Sequence, residues 1–166
     1  MSATLSIREM VVEGQLAGVH PGDPRELVRT RLGAPDEWSA RDPIDTAPIW
    51  RYGNFEFHFD GDTVWMIFND YLDGLDAGPG RALDPWILAP GAVPGPEEVL
   101  ERLRADNVPF VVGRDVLDRR VVWIEGGASL AFDRDEDDGP EVWFAIELLS
   151  PSRAPNFTPE PTAGDR

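Results

Sequence analysis

The chain has 166 residues, of which 42% are hydrophobic, so it is long enough to bury a core without disulfide or metal cross-links. It contains no cysteine and all 15 of its cationic residues are arginine, which excludes disulfides, thiolate chemistry and every site that needs a lysine. Its formal charge of −16 repels nucleic acid and anionic lipid, so we expect neither as a partner. The acidity favours a basic protein partner, or it serves only to keep the protein soluble.

The N-terminal region predicts one short helix. Residues 1–9 have no secretory-signal pattern and no window is apolar enough for a membrane span, so we expect a cytoplasmic protein. Residues 10–19 are apolar around two glycines, which fits a short strand or an irregular approach to the helix. Asp23 is a suitable N-cap and Pro24 a suitable first helical residue, so a helix is predicted from Pro24 to about Leu32.

A β-hairpin is the clearest element of the first half. Three phenylalanines alternate with three polar residues from Phe55 to Asp60, a period of two that is typical of a strand with one buried face. Gly61 and Asp62 then form a tight turn into a second strand over residues 63–69.

The second half predicts a helix and further strands. After a region rich in glycine and proline, a helix is expected over residues 96–106. Strands are expected over residues 110–112, 120–125, 128–133 and 141–149. Residues 150–166 contain four prolines and little to bury, so this tail is predicted to be disordered.

The second half repeats the first. Residues 49–53 align with residues 122–126 at an offset of 73, the spacing from Trp50 to Trp123, and the three phenylalanines align with Ala128, Leu130 and Phe132. This predicts an α+β protein made of two tandem repeats, each a helix plus antiparallel strands, that form one curved sheet with the helices on one face. The predicted organisation is a first repeat at 1–75, a linker at 76–95, a second repeat at 96–149 and the tail at 150–166.

The repeat resembles a known family. The segment from Leu16 to Gly22, a helix that ends in Leu32-Gly33-Ala34-Pro35, and Trp50-Arg51-Tyr52-Gly53 before the hairpin are similar to the β-lactamase inhibitory protein family and to the single-repeat lipoprotein BamE (SmpA/OmlA). The resemblance covers most of residues 10–149 and implies a concave sheet that grips a target protein. The chain lacks the cysteines of both groups, which argues against a periplasmic target and against a lipid anchor.

The tryptophans suggest which sheet face is free. Trp50 and Trp123 begin equivalent strands and are predicted to lie in the core. If Val64, Met66 and Phe68 face the helix, then Trp65 and Ile67 point to the opposite face, and the same alternation turns Trp143 outward. Large aromatic residues on a helix-free face are typical of interface hot spots. In the alternative interpretation the strands are inverted and both tryptophans are buried under the helices.

His58 lies between Glu56 and Asp60 at a spacing of two, so all three should project from one sheet face. Such a row can be a solvent-facing polar stripe, a contact with a partner, or a metal or general-base site.

The acidic loop at residues 133–139 resembles a calcium loop only in part. Its glycine falls at position 7 of the loop instead of 6, and position 12 is Phe144 where an EF-hand has glutamate. We therefore expect a solvated or partner-facing turn that begins at Asp133. No nucleophile elbow, zinc-protease pair or dinucleotide-binding turn occurs, so we predict neither a cofactor nor a catalytic residue.

The leading hypothesis is a small acidic protein-binding module, such as a cytoplasmic immunity or inhibitor protein that docks on a basic partner. Its contact residues are predicted on the sheet face: Trp65, Trp143, Glu56, His58, Asp60 and Asp133. The alternatives are an enzyme or metal-binding protein that uses His58 with nearby carboxylates, and a self-associating module that forms a homodimer.

Overall fold

The computed structural model describes residues 2–39, 41–89, 91–126, 128–134, 136–153 and 157–161. Its helices are α1 (Arg25–Leu32) and α2 (Pro96–Ala105), with a short π-helical segment at Glu9–Glu13. The strands are β1 (Thr4–Ser6), β2 (Glu37–Trp38), β3 (Ile49–Tyr52), β4 (Phe55–Asp60), β5 (Thr63–Asn69), β6 (Ala82–Asp84), β7 (Phe110–Asp115), β8 (Arg120–Ile124), β9 (Ala128–Arg134), β10 (Glu141–Leu149) and β11 (Phe157–Pro159).

Nine of these strands form one antiparallel sheet in the order β11-β7-β8-β9-β10-β5-β4-β3-β2. β1 and β6 form a separate parallel pair in the described part of the chain. The predicted α+β class is confirmed. The two halves of the sheet meet at its middle, where β5 and β10 pair with Ile67 opposite Leu148.

The hairpin of β4 and β5 forms as predicted. Phe55, Phe57 and Phe59 are buried, and the turn residue Gly61 has a φ of +58°. The predicted strands of the second half correspond to β7, β8, β9 and β10. The hydrophobic period and the turn residues therefore located these elements correctly.

The start of α1 differs from the prediction. Pro24, with extended φ and ψ, occupies the cap position, so the helix starts at Arg25. The Asp23 carboxylate accepts a hydrogen bond from the backbone N–H of His20 at 2.7 Å and makes no side-chain cap. Residues before the helix form the π-helical segment and an isolated bridge between Leu16 and Val19.

Within the described residues, all buried hydrophobic side chains except Val121 and Ala145 form one core cluster on one side of the sheet. Val28 of α1, Leu103 of α2 and Met10 of the π-helical segment all join it. Trp50 and Phe57 from the first half and Leu130 from the second half supply the sheet side of this core. Because side chains alternate along a strand, every second strand residue projects from the opposite side, here called the open face.

The predicted linker and tail both contain strands. β6 lies within residues 76–95 and pairs with β1. In the tail, Phe157 pairs with Asp115 of β7, so the prediction of disorder is wrong for β11. Residues 154–156 and 162–166 of that tail lie outside the described residues.

Candidate functional site on the open face

The open face carries a continuous cross-strand row. Each member lies opposite the next on the neighbouring strand, from β3 through β4, β5, β10 and β9 to β8. The row is Arg51, Glu56, Phe68, Glu147, Ser129 and Trp123. It combines two aromatic residues and an arginine, the residue types enriched in protein interfaces, with two glutamates and a buried serine.

Three predicted site residues meet at one end of this face. Glu56 Oε2 lies 2.8 Å from His58 Nε2, and Arg51 Nε donates to Glu56 Oε1 at 2.8 Å. The hydrogen bond from His58 holds the pKa of the Glu56 carboxyl below its usual range, although partial burial opposes this effect. The Asp60 carboxylate is 3.2 Å from Arg153 Nη2.

Trp65 lies beside this cluster because β5 contains a β-bulge. Met66 lies opposite His58 and Val64 lies opposite Phe59, so Trp65 is the additional residue on β5. Its ring makes an edge contact with the ring of His58, with centroids 5.8 Å apart. The Arg153 guanidinium lies 4.3 Å from the centroid of the same indole. Trp65 is thus half-buried under part of the tail.

Because of the same bulge, the predicted faces of three neighbouring residues are wrong. Ile67, predicted to face outward, is fully buried opposite Phe57. Met66 and Phe68, predicted to face the helix, instead lie opposite His58 and Glu56. The predicted faces are correct before the bulge, at Val64, and reversed after it, because the additional residue shifts the alternation by one position.

Trp143 does not belong to the site, so its predicted outward position is wrong. Its side chain is 1% exposed and stacks on Phe132, with ring centroids 6.3 Å apart. The indole N–H donates to the carbonyl oxygen of Ala145 at 3.0 Å. A second bulge at Phe144 breaks the alternation of β10, so Trp143 and Ile146 both point into the core.

The predicted position of Trp123 is also wrong, but here a residue predicted in the core lies on the open face. It was predicted in the core with Trp50, yet it lies opposite Ser129 on the open face, 6.5 Å from the ring of Phe157. The connection between β3 and β4 has two residues, 53–54, whereas that between β8 and β9 has three, 125–127. The additional turn residue shifts the register of β8 by one position and thereby exchanges its faces.

Asp133 lies apart from the other predicted site residues. It is exposed near the end of β9, which β10 and β5 separate from β4, and its carboxylate accepts a hydrogen bond from the N–H of Arg134. Asp135 of the acidic loop lies outside the described residues. Within the described ranges, no group of three or more potential metal ligands occurs.

Glu147 is a member of the face that sequence reasoning missed. It is half-buried opposite Phe68 and Ser129. Burial raises the pKa of its carboxyl, and the nearby Asp115 raises it further, while Arg119 and His58 act in the opposite direction. The sequence did contain a signal for it: Glu147 is the one charged residue in the otherwise apolar run from Val142 to Leu149.

Two further charged residues border the face. Arg119 Nη2 lies 2.7 Å from the Asp115 carboxylate, and the Arg119 guanidinium lies 5.2 Å from the ring centroid of Phe144. Val116 and Leu117, in the turn between these two residues, are 78% and 67% exposed. The face therefore ends at an apolar hairpin tip.

None of the described helices is long and apolar enough to cross a membrane. Comparison of the chain with protein-family models, with curated proteins and with solved structures gives no match. The resemblance to β-lactamase inhibitory proteins and BamE therefore stays a prediction.

Proposed function

We propose that this protein is a binding module that docks on a basic partner protein through the open face. The observation that supports this most directly is the cross-strand row with its flanking aromatic residues, on the side of the sheet away from the core. Half-buried Trp65, Phe68 and Trp123 offer apolar contact area, and Glu56 and Glu147 lie between them.

The charge of the chain favours a basic partner. A net charge of −16 creates a negative potential that speeds encounter with a positively charged surface. A cytoplasmic immunity protein that neutralises a basic toxin fits this combination of acidity and an aromatic binding face. In this proposal the chain is not an enzyme, and His58 positions Glu56 and Trp65 through the contacts described above.

The binding face is proposed to arise from two tandem repeats. After α1 the chain runs through β2 to β5, and after α2 it runs through β7 to β10. Each set of strands follows its helix as an antiparallel meander, and the last strands, β5 and β10, pair at the centre. This arrangement supports an origin of the sheet from two related units.

Affinity capture with matched tryptophan variants tests the proposed function. Wild-type protein, Trp65→Ala and Trp38→Ala would be immobilised and incubated with a lysate of the source organism. Trp38 is a suitable control because it is 42% exposed and lies opposite the core residue Trp50, away from the open face. We expect one basic protein to be retained in near-equal amount by wild type and Trp38→Ala, and to be lost by Trp65→Ala.

The purified partner would then be measured by surface plasmon resonance at increasing salt concentration. We expect the association rate to fall steeply, because salt screens the long-range attraction between opposite charges. Retention of no stoichiometric partner, or equal retention by the folded Trp65→Ala variant, would contradict the proposal. A lysate partner that is a second copy of this chain would instead support the homodimer alternative.

A further inference from the structure

Arginine side chains on the open face repeatedly share one arrangement. Arg153 lies over the ring of Trp65 and pairs with the carboxylate of Asp60. Arg119 lies over the ring of Phe144 and pairs with Asp115. In both cases a guanidinium lies near an aromatic ring and is neutralised by a carboxylate, which combines a cation–π contact with an ion pair.

Glu147 and Phe68 form a third ring and carboxylate of this kind. In the described residues no guanidinium lies over the ring or pairs with the carboxylate, and the ring of Phe68 makes only an edge contact with that of His58. Glu147 and Phe68 lie directly opposite each other on β10 and β5, and both are half-buried. Glu56, the next carboxylate along the row, is already bonded to His58 and Arg51. Within the described ranges the Glu147 carboxylate forms no hydrogen bond or ion pair, and Arg119 acts on it only as a nearby charge.

We propose that Glu147 and Phe68 form a recognition site for an arginine side chain of the partner protein. The guanidinium would lie against the ring of Phe68 and donate hydrogen bonds to the Glu147 carboxylate. Arginine fits better than lysine, because its planar guanidinium stacks on a ring and donates two parallel hydrogen bonds to one carboxylate. This inference rests on the proposed function and names the group on the partner that the open face selects.

The site can be tested without the partner. ¹⁵N-labelled protein would be titrated with the peptide acetyl-Gly-Arg-Gly-amide and followed by amide chemical shifts. The matching peptide with citrulline, a neutral isostere of arginine, tests the need for positive charge. Glu147→Gln is compared with Glu101→Gln, which removes the same charge from an exposed position on α2.

We expect saturable shifts at residues 66–69 and 146–149 with the arginine peptide and none with the citrulline peptide. Glu147→Gln should weaken binding about tenfold or more, because it removes the negative charge that strengthens the hydrogen bonds from the guanidinium. Phe68→Leu, which keeps an apolar side chain without an aromatic ring, should also weaken binding, and Glu101→Gln should leave it unchanged.

Three results would overturn the inference: equal binding of both peptides, equal weakening by Glu147→Gln and Glu101→Gln, or absence of saturable shifts on the open face. The second would mean that the peptide follows the overall negative charge. The inference and the proposed function can fail separately. A partner that is lost by Trp65→Ala but bound normally by Glu147→Gln would retain the function and remove the arginine site.

Discussion

Glu147 and Glu56 lie on the same sheet face, yet their surroundings shift their pKa values in opposite directions. Burial raises the pKa of Glu147, whereas the hydrogen bond from His58 lowers that of Glu56. Because a pKa that differs between the folded and unfolded states makes stability depend on pH, the two carboxylates should affect unfolding with opposite signs.

Glu147→Gln is expected to make the protein more stable than wild type at neutral pH. Between its unfolded pKa, about 4.3, and its raised folded pKa, Glu147 binds more protons in the folded state, so the free energy of unfolding falls as pH rises. Glutamine does not ionise and avoids this loss. Urea unfolding should therefore show a stability gain near pH 7 that narrows as the pH is lowered toward about 5.

Glu56→Gln should have the opposite effect. Because the folded pKa of Glu56 is lowered, its contribution is present above the unfolded pKa and is lost as pH falls through the folded value. This variant should be less stable than wild type near pH 7. For the other variant, equal stability of wild type and Glu147→Gln near pH 7 would contradict the prediction, because the half-buried carboxylate would then not destabilise the folded protein.

At the scale of the elements, two hairpin turns use glycine in the same conformation but in different surroundings. Gly53, between β3 and β4, has a φ of +59°, and Gly61, between β4 and β5, has a φ of +58°. A Cβ at position 61 would meet no atom within 4 Å, whereas one at position 53 would overlap the backbone of Asp76 and Gly78. The first turn is therefore packed against residues 76–78 at the position of the Cβ. The second turn has open space there, although Arg25 Nη2 donates a hydrogen bond to its Gly61 carbonyl oxygen at 2.9 Å.

Gly53→Ala is expected to destabilise the protein much more than Gly61→Ala. The left-handed conformation alone costs alanine about 1–2 kcal/mol, which both variants share. Gly53→Ala adds the displacement of packed backbone, for which overpacking suggests about 1–3 kcal/mol more. Urea unfolding of both variants measures the difference, and equal losses would mean that residues 76–78 move aside freely.

Element type was far more predictable than element face. The alternation of Phe55, Phe57 and Phe59 located β4 because burial on one side imposes a period of two. The faces of Trp143 and Trp123 were wrong because a bulge and a three-residue turn each added one residue relative to strict alternation. An additional residue has no compositional signature, so a single sequence does not reveal it.

The shared face of the β4 residues could be predicted because β4 itself contains no additional residue. Glu56, His58 and Asp60 share β4. Glu56 is bonded directly to His58 and Arg51, whereas Asp60 pairs with Arg153, which contacts His58 only through the ring of Trp65. Glu147 enters the site through pairing of β10 with β5, which joins distant parts of the chain. That pairing depends on tertiary packing and not on local periodicity.

At the scale of the whole molecule, the two halves share their core and their sheet. Phe57 and Leu130 belong to one cluster of buried residues, and Ile67 of β5 lies opposite Leu148 of β10 at the junction. Neither half closes its own sheet at this junction, since separation of β5 from β10 would expose unpaired backbone groups and apolar side chains. A protein built in this way should unfold as one unit, even if its halves arose as repeats.

Differential scanning calorimetry of wild type, Phe57→Ala and Leu130→Ala tests this cooperativity. Each substitution should cost about 3 kcal/mol, which lowers the Tm of a protein of this size by roughly 10 °C. We expect one transition in every variant, with a calorimetric enthalpy equal to the van't Hoff enthalpy. Two transitions, one lowered only by Phe57→Ala and the other only by Leu130→Ala, would instead show that each half holds its own core and that the open face can bend at the β5–β10 junction.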